Sequence, residues 1–270
     1  MSDALSSAPR AAAEGPLRIG HKGADAVVAG NTLASFRAAV EIGVDIIELD
    51  VLRPRTDFAA AQDWRRAPAG PAAKPGGPLL VAHDWRAAAA GSPPTLDEAL
   101  DALSEPPLDR VTIDLDLKIA GREDEVIAAL RRRALIGRAM VSTMEAASLR
   151  ELRRLAPELR LGWTIPRIRR DWTSRPWARP LVVGGLASLR ARLPGAVRRR
   201  GPGFGIWAVW VYHPAISARL VHAAHAAGIA VVAWTVDDPQ RVADLTALGV
   251  DGICTNDPRL LASGSGAPAA

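Results

Sequence analysis

The sequence contains one cysteine, Cys254, which rules out an internal disulfide and a multi-cysteine metal site. A reduced, cytoplasmic setting is the matching expectation. Lysine is almost as scarce: Lys22, Lys74 and Lys118 stand in a chain that otherwise takes its positive charge from arginine. No uncharged apolar run reaches the roughly 18 residues expected of a membrane-spanning helix. The opening MSDALSSAPRAAAEGP has no continuous apolar stretch behind a basic start, so residues 1–16 read as a loose tail rather than a signal peptide. The closing ASGSGAPAA, residues 262–270, has the composition of a flexible end. No fixed-period repeat appears and no nucleic-acid motif accompanies the basic residues. Neither a nucleic-acid partner nor an obligate protein partner is therefore expected.

Residues 17–261 are read as one domain, in a chain apolar enough to bury a sizeable core without covalent staples. The net charge of +5 is unevenly spread: between Arg150 and Arg200 the only acids are Glu151, Glu158 and Asp171. Such a basic stretch suits a phosphate-bearing partner or a weak contact with an anionic membrane surface, and equally a solvated arginine-rich face.

Short apolar runs alternate with helical patterns almost throughout. The strand candidates are LRIGH (17–21), DIIELDV (45–51), LLVAHD (79–84), VTIDLDLK (111–118), AMVSTM (139–144), LRLGWTI (159–165), IWAVWVYH (206–213), IAVVAWTV (229–236) and DGICTN (251–256). Asn31, Ser217 and Asp238 stand where helix N-caps are wanted, and Gly43 and Gly228 close helical patterns. Repeated strand–helix units predict a single-domain α/β (β/α)8 TIM barrel, with an open doubly wound sheet as the alternative. No convincing helix separates DIIELDV from LLVAHD, so LLVAHD is assigned as an accessory hairpin strand after strand 2. The Ala-, Pro- and Gly-rich segment before it reads as an exposed excursion, and GGLASLRARLPGAVRRRGPGFG as a helix plus a loop.

DIIELDV holds the chemical question. Side chains alternate across a strand, so Glu48 and Asp50 share a face with Ile46, while Ile47, Leu49 and Val51 take the other. Two carboxylates in an apolar setting repel each other and lose hydration. VTIDLDLK repeats the pattern, placing Thr112, Asp114, Asp116 and Lys118 on one face. Barrel chemistry gathers at strand C-terminal ends, where Glu48, Asp50 and Asp116 would converge. An all-oxygen cluster suits Mg2+ or Ca2+ better than zinc. Pairing with arginines, or an exposed edge position for the strand, is the structural alternative.

Of five histidines, His21 and His83 end apolar strands and are suited to acid–base work beside a metal. His213 is a weaker candidate, and His222 and His225 lie in a helical pattern. Lys22 and Lys118 offer compact charges to a phosphate oxygen, and a late strand ends near Trp234.

In combination these residues resemble the glycerophosphodiester phosphodiesterase family. Its His-Arg-Gly and Glu-Asn-Thr motifs are similar to His21-Lys22-Gly23 and Gly30-Asn31-Thr32; its Glu-Leu-Asp-Val and His-Asp to Glu48–Val51 and His83-Asp84. Its Glu-hydrophobic-Lys, Trp-Thr-Val and Thr-Asn-Asp-Pro motifs are similar to Asp116-Leu117-Lys118, Trp234–Val236 and Thr255–Pro258. The resemblance implies hydrolysis of a small-molecule glycerophosphodiester to an alcohol and glycerol 3-phosphate with a divalent metal, Mg2+ or Ca2+. It implies metal binding by Glu48, Asp50 and Asp116, acid–base catalysis by His21 and His83, and substrate contact by Lys22, Lys118 and Trp234. Lys22 for the usual arginine, Gly30 for glutamate and Asp116 for glutamate are departures, and Asp114 could support the shortened ligand. A phospholipase D-like or phosphoinositide-cleaving lipid phosphodiesterase and a non-catalytic phosphate-ligand barrel are the alternatives.

Overall fold

The computed structural model describes residues 15–53, 77–167 and 179–261. Residues 1–14 and 262–270 of the expected tails, and 54–76 of the expected excursion with Lys74, lie outside the described residues.

The strands are β1 (Leu17–Gly20), β2 (Ile46–Leu52), β3 (Leu80–Val81), β4 (Thr112–Leu117), β5 (Ala139–Thr143), β6 (Arg160–Ile165), β7 (Ala208–Tyr212), β8 (Ala230–Trp234) and β9 (Gly252–Thr255). β1 pairs in parallel with both β2 and β9, which closes eight parallel strands into the expected TIM barrel. β3 bonds antiparallel to β2 outside the ring, through Val81 opposite Val51. Only Leu80 and Val81 of LLVAHD take strand geometry, which leaves His83 on the loop beyond.

The helices are α1 (Leu33–Ile42), α2 (Trp85–Ala90), α3 (Leu96–Leu103), α4 (Glu123–Arg132), α5 (Ala146–Leu155), α6 (Arg179–Phe204), α7 (Ala218–His225) and α8 (Pro239–Ala247). Ser217 and Asp238 cap α7 and α8 as expected. Thr32, not Asn31, caps α1, accepting from the Ser35 amide, and Gly43 ends that helix at φ 93°. α2 and α3 were not anticipated, although Asp84 caps one and a Thr95–Glu98 capping box starts the other. The segment read as a helix plus a loop is one helix, α6, running through Pro194 and Pro202. Leu193, Val197 and Phe204 are buried, and that packing outweighs the local helix-breaking preference. Among the described residues no helix is long and apolar enough to cross a membrane.

Alternation along the strands sorts the core into two layers. Ile47, Leu49 and Val51 of β2 join the large cluster between sheet and helices. Ile46 joins Leu17, Ile19, Met140, Ala208, Trp210, Val232 and Cys254 in a second cluster that fills the lower barrel interior. Above this apolar floor, at the C-terminal ends of the strands, the inward positions become polar.

Candidate active site

β2 and β4 lie in register with Glu48 opposite Asp114 and Asp50 opposite Asp116. Oxygens of Glu48, Asp50 and Asp116 come within 4.8 Å of one another, and all three residues are buried. Two unit charges at that distance repel by about 3–4 kcal/mol at an effective dielectric near 20, so the trio needs positive charge. Lys118, at the end of β4, supplies one: its Nζ lies 2.5 Å from Asp50 Oδ1 and 2.5 Å from Asp116 Oδ2. Three carboxylates against one ammonium still leave a formal excess of two negative charges.

Two loop groups aim the carboxylates. Glu48 Oε2 accepts from the Lys22 backbone N–H at 2.9 Å. Asn31, buried and held at φ 59°, donates its amide to Asp50 Oδ2 at 2.7 Å and accepts from the Asp50 N–H at 3.1 Å. Asn31 is therefore a positioning group for the site rather than the cap its sequence context suggested. The Lys22 ammonium turns to Asp25 at 3.1 Å, and Asp25 also accepts from the Gly30 N–H at 2.7 Å. A Cβ at Gly30 would come within 2.5 Å of the Asp25 carboxylate, so the glutamate that the resemblance places there would require Asp25 to move. Asp25 occupies that space instead.

His21 and His83 line one cavity of about 220 Å3 together with Glu48, Asp116, Lys118 and Trp234. His21 Nδ1 lies 2.6 Å from Asn256 Oδ1. The Asn256 amide is oriented by donation from its Nδ2 to Asp237 at 2.6 Å, so its oxygen faces the ring and Nδ1 must carry the proton. His21 Nε2, 3.9 Å from Glu48, then presents its lone pair to the cavity. Burial lowers the His21 pKa, Asp50 opposes that shift and Lys22 assists it. His83 Nδ1 lies 3.2 Å from Asp84 Oδ2, on the carboxylate that caps α2. Elsewhere, His213 is bonded by Arg241, His225 meets Asp251 at 2.8 Å and His222 is exposed.

Among the described residues, the opposite wall carries no charge. Ser142, Thr164, Trp210, Trp234, Met144 and Cys254 come from β5 to β9 or just beyond and line the same cavity. Gly162 makes room for one of them, since a Cβ there would sit 2.7 Å from Trp210 Nε1. Thr164 Oγ1, Trp210 Nε1 and Trp234 Nε1 are buried without a hydrogen-bond partner. Thr164 and Trp210 carry no local mark that separates them from ordinary strand positions, whereas Asn256 lies in the Thr-Asn-Asp-Pro run and gains its role only from contact with His21.

Electrostatics around the trio are strongly perturbed. Burial, then Asp50, pushes the Glu48 carboxyl well above its usual range. Asp50 goes the other way: burial opposes ionisation, but Lys118, His83 and His21 outweigh it. Burial would discharge Lys118, yet Asp116, Asp50 and Glu48 raise its pKa well above normal. Asp114, below the trio, is raised by burial and by Asp116; Ser142 donates to its Oδ2 at 2.8 Å and its Oδ1 has no partner. Fully ionised, this hard, all-oxygen donor set has a formal excess of two negative charges, which fits a divalent cation.

A model of the glycerophosphoryl diester phosphodiesterase family matches residues 21–55 and 94–260. The chain belongs to this family. A glycerophosphodiester phosphodiesterase of Arabidopsis thaliana is 26% identical over 262 residues, covering 91% of this chain and 72% of that protein. A glycerophosphodiester phosphodiesterase of Caldanaerobacter subterraneus subsp. tengcongensis is 24% identical, covering 91% and 96%. The structure of an Oleispira antarctica phosphodiesterase in complex with sn-glycerol-3-phosphate shares the fold, with a TM-score of 0.60 and 18% identity over 93% of this chain and 98% of that one. Family membership makes this chain a phosphoric diester hydrolase of glycerophosphodiesters. His83 falls between the two matched blocks, so its place at the cavity is a finding of the structure.

Proposed function

We propose that this glycerophosphodiester hydrolase works with a divalent cation, Mg2+ or Ca2+, held by Glu48, Asp50 and Asp116, and with His21 and His83 as its acid–base pair. The observation that carries the reading is the convergence of three buried carboxylates in a cavity that both histidines line. Bound there, the cation supplies positive charge against the negative charge that builds on the phosphate.

His21 is the proton acceptor in this reading. Asn256 holds the proton on Nδ1, and burial keeps the ring neutral, so Nε2 is ready to take a proton from the nucleophile. His83 is then the donor to the departing alkoxide. Lys118 lies against both carboxylate and cavity, where it faces the phosphate of the diester. Thr164, Trp210 and Trp234 line a neutral wall opposite the carboxylates, as suits an uncharged polyol. Lys22 contributes its backbone amide to Glu48 in this arrangement, and its ammonium reaches substrate only by leaving Asp25. A reduced cytoplasmic setting belongs to the same reading.

A panel of glycerophosphodiesters assayed with EDTA, Mg2+, Ca2+ and Mn2+ tests this. Release of glycerol 3-phosphate that EDTA abolishes and a divalent ion restores is the expected result. Full turnover in EDTA would remove the cation from the reading, and binding without turnover would favour the non-catalytic barrel.

A further inference from the structure

Arginines on two flanks of the barrel face different company. On the α3–α5 flank they find acids: Arg132 meets Asp97 at 2.7 Å, Arg133 meets Asp101 at 2.6 Å and Arg131 meets Glu158 at 2.9 Å. On α6 and α7, Arg190, Arg192, Arg198, Arg199, Arg200 and Arg219 are all exposed. Among the described residues none of these six meets a carboxylate. The cause is compositional, because residues 172–236 contain no aspartate or glutamate.

Arg192, Arg198, Arg199 and Arg219, with His222, line a hollow of about 470 Å3 between α6 and α7, and among the described residues no acid contributes to its wall. Guanidinium groups gathered round one hollow repel each other until an anion enters, and their fork geometry matches phosphate oxygens. The same helix carries two apolar groups in water: Leu181 is 69% exposed and Val183 is 67% exposed. They stand near the N-terminus of α6, while its C-terminal half is anchored through Leu193, Val197 and Phe204. A barrel helix runs antiparallel to its strands, so this N-terminal end lies toward the catalytic face.

We propose that the α6–α7 flank docks on an anionic phospholipid surface. Lipid phosphates enter the arginine-lined hollow, and Leu181 and Val183 enter the apolar boundary beneath the headgroups. Nucleic acid would satisfy the arginines but gives those two aliphatic side chains nothing to bury against, and among the described residues no Phe, Tyr or Trp lines the hollow to stack on bases. The docking is independent of the hydrolytic reading and is measured by binding rather than turnover.

The test is co-sedimentation of the full chain with vesicles of phosphatidylcholine alone and of phosphatidylcholine containing one third phosphatidylglycerol. Binding to the second and not the first, weakened by high salt, is the expected pattern. Each surface charge removed should lower the partition coefficient about fivefold, so the variant R192Q/R198Q/R199Q/R219Q should lose more than a hundredfold. Leu181→Ser with Val183→Ser should lose about tenfold. Both variants should hydrolyse a soluble glycerophosphodiester at the unaltered rate, which confirms that the barrel is folded. Equal binding to neutral vesicles, no binding to either, or insensitivity to the four arginine changes would overturn the proposal. So would displacement from anionic vesicles by single-stranded DNA together with insensitivity to the Leu181 and Val183 changes. Displacement by millimolar inorganic phosphate would do the same, by reassigning the hollow to a small free anion.

Discussion

The two halves of the barrel mouth are built on one scaffold and hold opposite chemistry. β1, β2 and β4 bring His21, Glu48, Asp50, Asp116 and Lys118 together, so every group there is charged or titratable and most have shifted pKa values. β6, β7 and β8 face them with Thr164, Trp210 and Trp234, which carry no charge and have unpaired polar atoms. The charged half is held by mutual attraction and repulsion, so its geometry depends on every member. The neutral half is held by packing, as the close fit of Trp210 against Gly162 shows. This difference predicts that damage on the charged side appears in turnover and damage on the neutral side in substrate binding and stability.

The largest effect should follow loss of either histidine proposed to transfer a proton. His21→Ala and His83→Ala should each reduce turnover about 10²–10⁴-fold, measured as glycerol 3-phosphate release. Near-normal rates in both would dissolve the contrast between the halves. Next comes Asn256→Ala, expected to cost about 10–100-fold, as loss of a group that orients a reacting one commonly does. Asn256 also favours the protonated His21 ring, so its removal should move the acid limb of the pH–rate profile to lower pH. A merely structural Asn256 would leave that limb in place.

On the neutral half, Gly162→Ala should destabilise the fold by about 1–3 kcal/mol in denaturant unfolding, because its Cβ would press on the Trp210 indole and on Ser142. An unchanged midpoint would show that the Trp210 wall yields. The smallest effect should come from Thr164→Val and Trp210→Phe, which reshape the neutral wall of the cavity. A change of about 1 kcal/mol in binding, as for a small alteration of a pocket wall, should raise KM several-fold with kcat nearly constant. A fall in kcat with KM unchanged would place those residues in the chemistry instead.

These contrasts were unevenly legible in the sequence. Glu48, Asp50 and Asp116 could be read because carboxylates at alternate positions of an otherwise apolar strand contradict ordinary burial. Lys118 stood out through the scarcity of lysine. Asn31 looked like a cap, since Thr32 beside it satisfies the same local pattern, and only the Asp50 carboxylate on β2, 2.7 Å from its amide, gives it another task. Asn256 reaches His21 across 235 residues of chain, a contact with no local signature. The length of α6 escaped for a related reason: its prolines and glycines argue for a break, and burial of Leu193, Val197 and Phe204 against the barrel argues more strongly.

What the sequence determined by itself was each strand's two faces, because alternation is a property of neighbouring residues and needs no partner strand. It thereby set which side chains are polar, inward and costly to bury. The tertiary structure alone decided that β1 closes on β2 and β9, and with that closure which buried polar groups meet. Distance through space between remote segments fixes charge neutralisation, tautomer and pocket shape, and no local pattern encodes that distance.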